Sequence, residues 1–146
     1  MKLILIVLTL FTLPAFSATS TTLILKGVVP SVLSVQIDPE SVAANLDLST
    51  SQTDLLVGTL TERSNSSTGY TLSFSSVNSG KMINGAEYVP YTLKYGTSVL
   101  TFPQSISKSF TNAAPINTDL KISYIGSDSL MSGIYQDTVT VTITAN

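Results

Sequence analysis

Apolar and polar residues alternate without a break from Thr138 to Thr144, reading Thr-Val-Thr-Val-Thr-Ile-Thr. A period of two places Val139, Val141 and Ile143 on one face of an extended chain and Thr138, Thr140, Thr142 and Thr144 on the other, which predicts a half-buried strand. Val, Ile and Thr are β-branched; they suit a pleated strand and lose rotamer freedom in a helix. A strand this regular needs neighbours, and its neighbours decide what the chain does.

The same period recurs upstream. Thr21 to Val29 reads as a strand closed by Pro30, with Thr21, Leu23, Leu25, Gly27 and Val29 on one side. Val32 to Ile37 follows, with Leu33, Val35 and Ile37 together, stopped by Asp38-Pro39. Glu40 to Leu48 is compatible with a helical turn leading into a short strand. Leu55 to Glu62 and Tyr70 to Ser76 are predicted strands, joined by the turn-rich Arg63 to Gly69; Tyr70, Leu72 and Phe74 point inward. Asn78 to Gly85 reads as a polar loop. Tyr88 to Tyr95 and Ser98 to Phe102 flank Gly96-Thr97, a two-residue hairpin turn. Gln104 to Asn117 is a Ser/Asn-rich excursion that Ile106 and Phe110 are expected to pin to the core. Asp119 to Ile125 is the penultimate strand, with Leu120, Ile122 and Tyr124 on one face. Seven to nine short strands without a long helix predict an all-β chain, an immunoglobulin-like β-sandwich.

Composition narrows this further. The 146 residues suffice for one domain with a real core, and Ser and Thr exceed a quarter of them while only 11% are charged. With an apolar share of 43%, the chain is a folded sandwich with hydroxyl-rich faces rather than a disordered segment. The net charge is −2 and the cations are scattered singly, so no basic stripe offers itself to a nucleic acid.

Met1 to Ser17 carries the features of a secretory targeting segment: Lys2, an apolar run from Leu3 to Leu13, and the exit Pro14-Ala15-Phe16-Ser17. Cleavage after Ser17 fits the small-x-small rule, and no second apolar run predicts stable membrane insertion. The mature chain is expected to be exported. It has no Cys, so its core or a partner must supply the stability that disulfides give many exported domains.

The two ends together resemble the pilins of the chaperone–usher pathway. Those proteins end in an alternating apolar strand with a glycine fourteen residues from the terminus, the place of Gly133 here. Gly133-Ile-Tyr135-Gln-Asp137-Thr-Val-Thr-Val-Thr-Ile143 is similar to the spore-coat-U-like and archaic branch, and Thr22 to Val29 resembles the donor-strand extension of the family. The chain departs from the pattern in having Ala145 where many members have an aromatic residue, and in lacking the core disulfide of some members.

The resemblance implies residues 18–30 as a donor-strand extension and residues 31–146 as an incomplete sandwich. Leu23, Leu25, Gly27 and Val29 would then fill a neighbour's groove. Gly133, Val139, Val141 and Ile143 would border the chain's own groove and meet its chaperone. The implied function is a structural subunit of a surface fimbria built by donor-strand exchange and serving adhesion or biofilm formation. The implied partners are copies of itself or related pilins, a periplasmic chaperone and an outer-membrane usher. The chain would cross the periplasm to the cell surface. Burial of Leu23, Leu25 and Val29 is worth roughly 5–8 kcal/mol gross, comparable to the whole stability of a domain, about 5–15 kcal/mol.

A second reading stays open: a self-contained exported sandwich binding a carbohydrate or cell-wall ligand, with residues 21–29 its own first strand and Gly27 a bulge. A single-domain tip adhesin would combine both. The six tyrosines read as packing residues, with a sugar platform among them as the alternative, and Asn65-Ser66-Ser67 matches a glycosylation sequon.

Catalytic chemistry is poorly supplied. Without His or Cys the usual bases, thiol nucleophiles and soft metal ligands are missing. The nine carboxylates lie mostly at predicted turns and strand ends, where solvated or capping roles are expected. Asp128 and Asp137 as calcium ligands lack an Asp-x-Asp-x-Asp loop. The expectation is a non-enzyme without cofactor or metal.

Overall fold

A computed structural model describes residues 19–146; the targeting segment expected at residues 1–17 lies outside them. Nine strands form: β1 (Leu33–Pro39), β2 (Gln52–Ser64), β3 (Tyr70–Ser76), β4 (Lys81–Asn84), β5 (Glu87–Tyr95), β6 (Ser98–Leu100), β7 (Gln104–Lys108), β8 (Ile116–Tyr124) and β9 (Val139–Ala145). One sheet runs β1-β2-β8-β5-β4, with β6 also on β5; the other runs β7-β3-β9. Every strand pair is antiparallel. This is the predicted all-β sandwich.

The inward alternation explains the core. Tyr70, Leu72 and Phe74 of β3 and Leu120, Ile122 and Tyr124 of β8 are buried, as their period requires, together with Leu60, Met82, Val89, Leu93, Tyr95 and Leu100. Phe74 and Tyr95 meet with ring centroids 5.5 Å apart, joining the two sheets. Gly85-Ala86 and Gly96-Thr97 make two-residue hairpins, and their glycines take φ of 63° and 60°, the left-handed region such turns need.

Several expectations are corrected. Thr21 to Val29 is not a strand here, because alternation supplies faces but no ladder partner, and none pairs with it. The strand expected to stop at Ile37 runs through Asp38 to Pro39, which pairs with Gly58; β1 is an edge strand, where proline costs no ladder bond. Between Glu40 and Leu48 there is only a short 3-10 turn at Ser41–Ala44, with no strand after it. The loop expected at 78–85 contains β4, and the excursion expected at 104–117 contains β7; both are too short to carry a legible period. Ile106 packs on the core as expected, but Phe110 is 44% exposed.

One carboxylate is far from solvent. Glu62 follows Leu60 on the inward face of β2 and is fully buried. Its Oε1 accepts a hydrogen bond of 2.6 Å from the Tyr95 hydroxyl and lies 3.4 Å from Lys108 Nζ, which also sits 4.8 Å over the Tyr95 ring. Burial, with the nearby Glu62 charge, pushes the Tyr70 hydroxyl up to about 12. The cluster ties β2 and β5 of one sheet to β3 and β7 of the other.

Two phenylalanines test this core. Phe74→Ala should lower unfolding free energy by about 3–5 kcal/mol, whereas Phe110→Ala should stay within about 0.5 kcal/mol of wild type. Denaturant titration separates them, and a large loss at Phe110 would contradict its exposed position.

Candidate functional site: an open groove beside the last strand

β9 pairs with β3 along one edge, and no strand among the described residues pairs with its other edge. β1 likewise pairs with β2 alone. These two edge strands lie on the same side of the sandwich, one in each sheet, close to each other along part of their length, and leave the apolar residues between them incompletely covered.

Burial shows the opening directly. Leu72 is registered opposite Ile143, and Phe74 opposite Val141. Leu72 and Phe74 are at most 1% exposed, yet Val139, Val141 and Ile143 are only half-buried although they pack on the same core. On β1, Val35 is half-buried, and Leu33 and Ile37 remain exposed. A cleft of about 1150 Å³ opens at the start of β9, between Ile37 and Pro39 at the end of β1, residues 43–49 and residues 127–137, with Val139 on its wall. A narrower hollow of about 190 Å³ between Val35, Gln36, Ile37 and Val141 shares Ile37 with it.

A cluster around Asp137 fixes how the chain enters β9. Asp137 Oδ2 accepts hydrogen bonds from the Ser76 hydroxyl at 2.5 Å and the Tyr91 hydroxyl at 2.6 Å. Its Oδ1 accepts from the Asn78 N–H at 3.0 Å and the Thr138 N–H at 2.7 Å. Partial burial alone would raise the carboxyl's pKa, but these donors outweigh it and hold the group below the usual carboxylate range. Burial and the bond to Asp137 push the Tyr91 hydroxyl upward. With four protein donors on it, Asp137 is a structural anchor, which removes it from the calcium pair considered with Asp128. The preceding residues are held too: Ile83 and Gln136 form a bridge, and Tyr135 donates to Glu87. At Gly133 a Cβ would run into the Asn84 side-chain amide, so glycine lets this turn lie flat against Asn84.

The expected donor residues are elsewhere. Leu23, Leu25 and Val29 are 81–84% exposed, and a Cβ on Gly27 would meet nothing within 4 Å. Gly133 and Val139 line the larger cleft and Val141 the narrower hollow, Ile143 is half-buried farther along β9, and Leu23, Leu25, Gly27 and Val29 line neither. No contact in its own domain accounts for Gly27 being glycine.

Other candidates fare differently. Of the tyrosines, Tyr70, Tyr95 and Tyr124 are buried, Tyr91 and Tyr135 are half-buried, and Tyr88 alone is exposed, with Lys81 Nζ 4.6 Å over its ring. Among the described residues no three His, Cys, Asp or Glu side chains group as metal ligands, and no helix is long and apolar enough to cross a membrane. Glu62 and Asp137 are the two polar residues whose structural weight the sequence reading missed. Their signal was their place on an inward strand face and at the start of the last strand. Comparison with protein-family models and with curated proteins found no match to this sequence.

The Asp137 anchor sets a pH dependence. Because its folded pKa is depressed, its contribution is complete above the unfolded value of about 3.9 and is lost as pH falls through the folded value. Asp137→Asn should destabilise the domain by about 1–3 kcal/mol at neutral pH and flatten the loss of stability below about pH 4. Thermal unfolding across pH 2–7 checks both, and an unchanged acid profile would contradict the anchor's role.

Proposed function

We propose that the chain is a structural subunit of a surface fibre, joined head to tail by donor-strand exchange. The observation that carries this reading is a mismatch within one chain: an apolar groove with a free strand edge, and an alternating apolar segment with no place in its own domain. A second copy resolves both. Its residues 21–29 would add a strand to β9, satisfying the free backbone edge and placing Leu23, Leu25 and Val29 against Val139, Val141 and Ile143. Each added ladder bond contributes about 1 kcal/mol net. The contact is heterologous, since groove and segment are different surfaces, and such contacts extend into filaments unless the rotation closes a ring.

Export follows from the targeting segment read in the sequence. A periplasmic chaperone covering the β9 edge, and an usher passing subunits outward, are the helpers that the pilin resemblance implies; an uncovered edge of this kind aggregates. Adhesion or biofilm formation is the role such a fibre would serve at the cell surface.

The test is deletion of Ala18 to Val29. The shortened chain should still be stabilised by a synthetic peptide spanning Thr21 to Pro30, because its groove is intact, but it should form no polymers. Electron microscopy and thermal unfolding with and without peptide provide the readout. Long fibres grown from the shortened chain would contradict the proposal.

A further inference from the structure

The root of the free segment is held by one side chain. Asn65 Nδ2 donates to the Pro30 carbonyl at 2.7 Å, and the Val32 N–H donates to Asn65 Oδ1 at 2.7 Å. The Asn65 N–H also donates to the Val32 carbonyl at 3.1 Å, extending the β1–β2 ladder by one step. Asn65 thus bridges both sides of Ser31, fixing the backbone where the exposed segment leaves the domain.

The loop that carries Asn65 also holds the far end of the groove strand. The Asn146 N–H donates to the Gly69 carbonyl at 3.3 Å, the Thr68 hydroxyl donates to the Asn146 carbonyl, and the Thr71 hydroxyl donates to Asn146 Oδ1 at 2.7 Å. One short connection between β2 and β3 therefore positions the outgoing segment relative to the end of β9. Glycosylation at the Asn65 sequon would require this side chain to leave both partners.

Length removes the slack. The apolar stretch from Leu23 to Val29 has the length of β9, seven residues, so a segment seated along the whole of a neighbour's β9 would end at Val29. The next residue is Pro30, whose carbonyl is already clamped and whose ring fixes φ. Such seating would leave only Ser31 and Val32 between the clamped proline and β1.

Resting on the fibre reading, we infer that Asn65 is a positioning residue: by directing the outgoing segment it sets the angle between successive subunits and stiffens the fibre. The segment it directs would meet the groove of a second copy of this chain. The side chain contacts neither the groove nor the seated residues, so its removal should change fibre geometry rather than the amount of polymer.

Asn65→Ala tests this in two ways. Because the chain has no Cys, spin labels at Val28→Cys and Ser107→Cys report the segment's direction cleanly in the full chain. Asn65→Ala should broaden their distance distribution about twofold and lower the melting temperature by no more than the loss of two hydrogen bonds at the domain edge requires, a few degrees. Fibres assembled from purified Asn65→Ala chain should form in wild-type amount with a severalfold shorter persistence length. Asn65→Asp, which keeps the acceptor for Val32 but loses the donor to Pro30, should fall between. An unchanged distance distribution, or fibres as straight as wild type, would overturn the inference. Failure of the wild-type chain to polymerise would instead count against the fibre reading, leaving the label distances to decide whether Asn65 directs the segment.

Discussion

The outer edge of β9 is the constraint on which the rest of the molecule turns. A strand carries hydrogen-bonding groups on both edges, and each must find a partner or water. β9 satisfies one edge through β3 and leaves the other open, while the side chains behind that edge face the core rather than solvent. An ordinary edge strand is protected by charge, proline or a bulge. β9 carries none of these between Val139 and Ala145. On the proposed reading, this is the edge that a donor strand would cover.

The rest of the fold holds this opening in shape. The buried Glu62 cluster ties the sheets together through β2, β3, β5 and β7, with Glu62 registered opposite Val35 of β1. Burying a carboxylate is costly unless its partners are well placed; here Tyr95 and Lys108 both meet Oε1, and Oε2 is buried without a protein partner. At the other end of the site, Asp137 gathers donors from β3, β5 and the connection after β3, so β9 begins from a fixed point. The groove is thus bordered by two edge strands whose sheets are tied to each other by these clusters.

Much of this was legible in the sequence because strands of seven or more residues show their period. β3, β8 and β9 fell close to their expected bounds, and the inward faces of Tyr70-Leu72-Phe74 and Leu120-Ile122-Tyr124 followed from counting by two. β4 and β7 did not, since four or five residues with one or two apolar positions carry no period that a loop lacks. Glu62 was misread because its charge outweighed its place on the Leu60 face. The groove residues Val139, Val141 and Ile143 were found from alternation, but their half-burial is a property of the sheet order, which no local pattern encodes. Residues 21–29 expose the limit most clearly: their pattern says strand, and the domain offers them no partner.

The central claim is that the sandwich lacks one strand and that residues 21–29 have the form of that strand. A copy of Thr21 to Pro30 placed after Asn146 through a short flexible linker tests it most directly, because insertion becomes intramolecular at an effective concentration of about millimolar. Thermal unfolding and size-exclusion chromatography would compare this chain with the wild type and with a version also lacking the native Ala18 to Val29. The account predicts a monomer with a much higher melting temperature, nearly indifferent to loss of the native segment. An unchanged melting temperature on adding the strand, or unfolding on removal of the native segment, would mean that the domain is already complete.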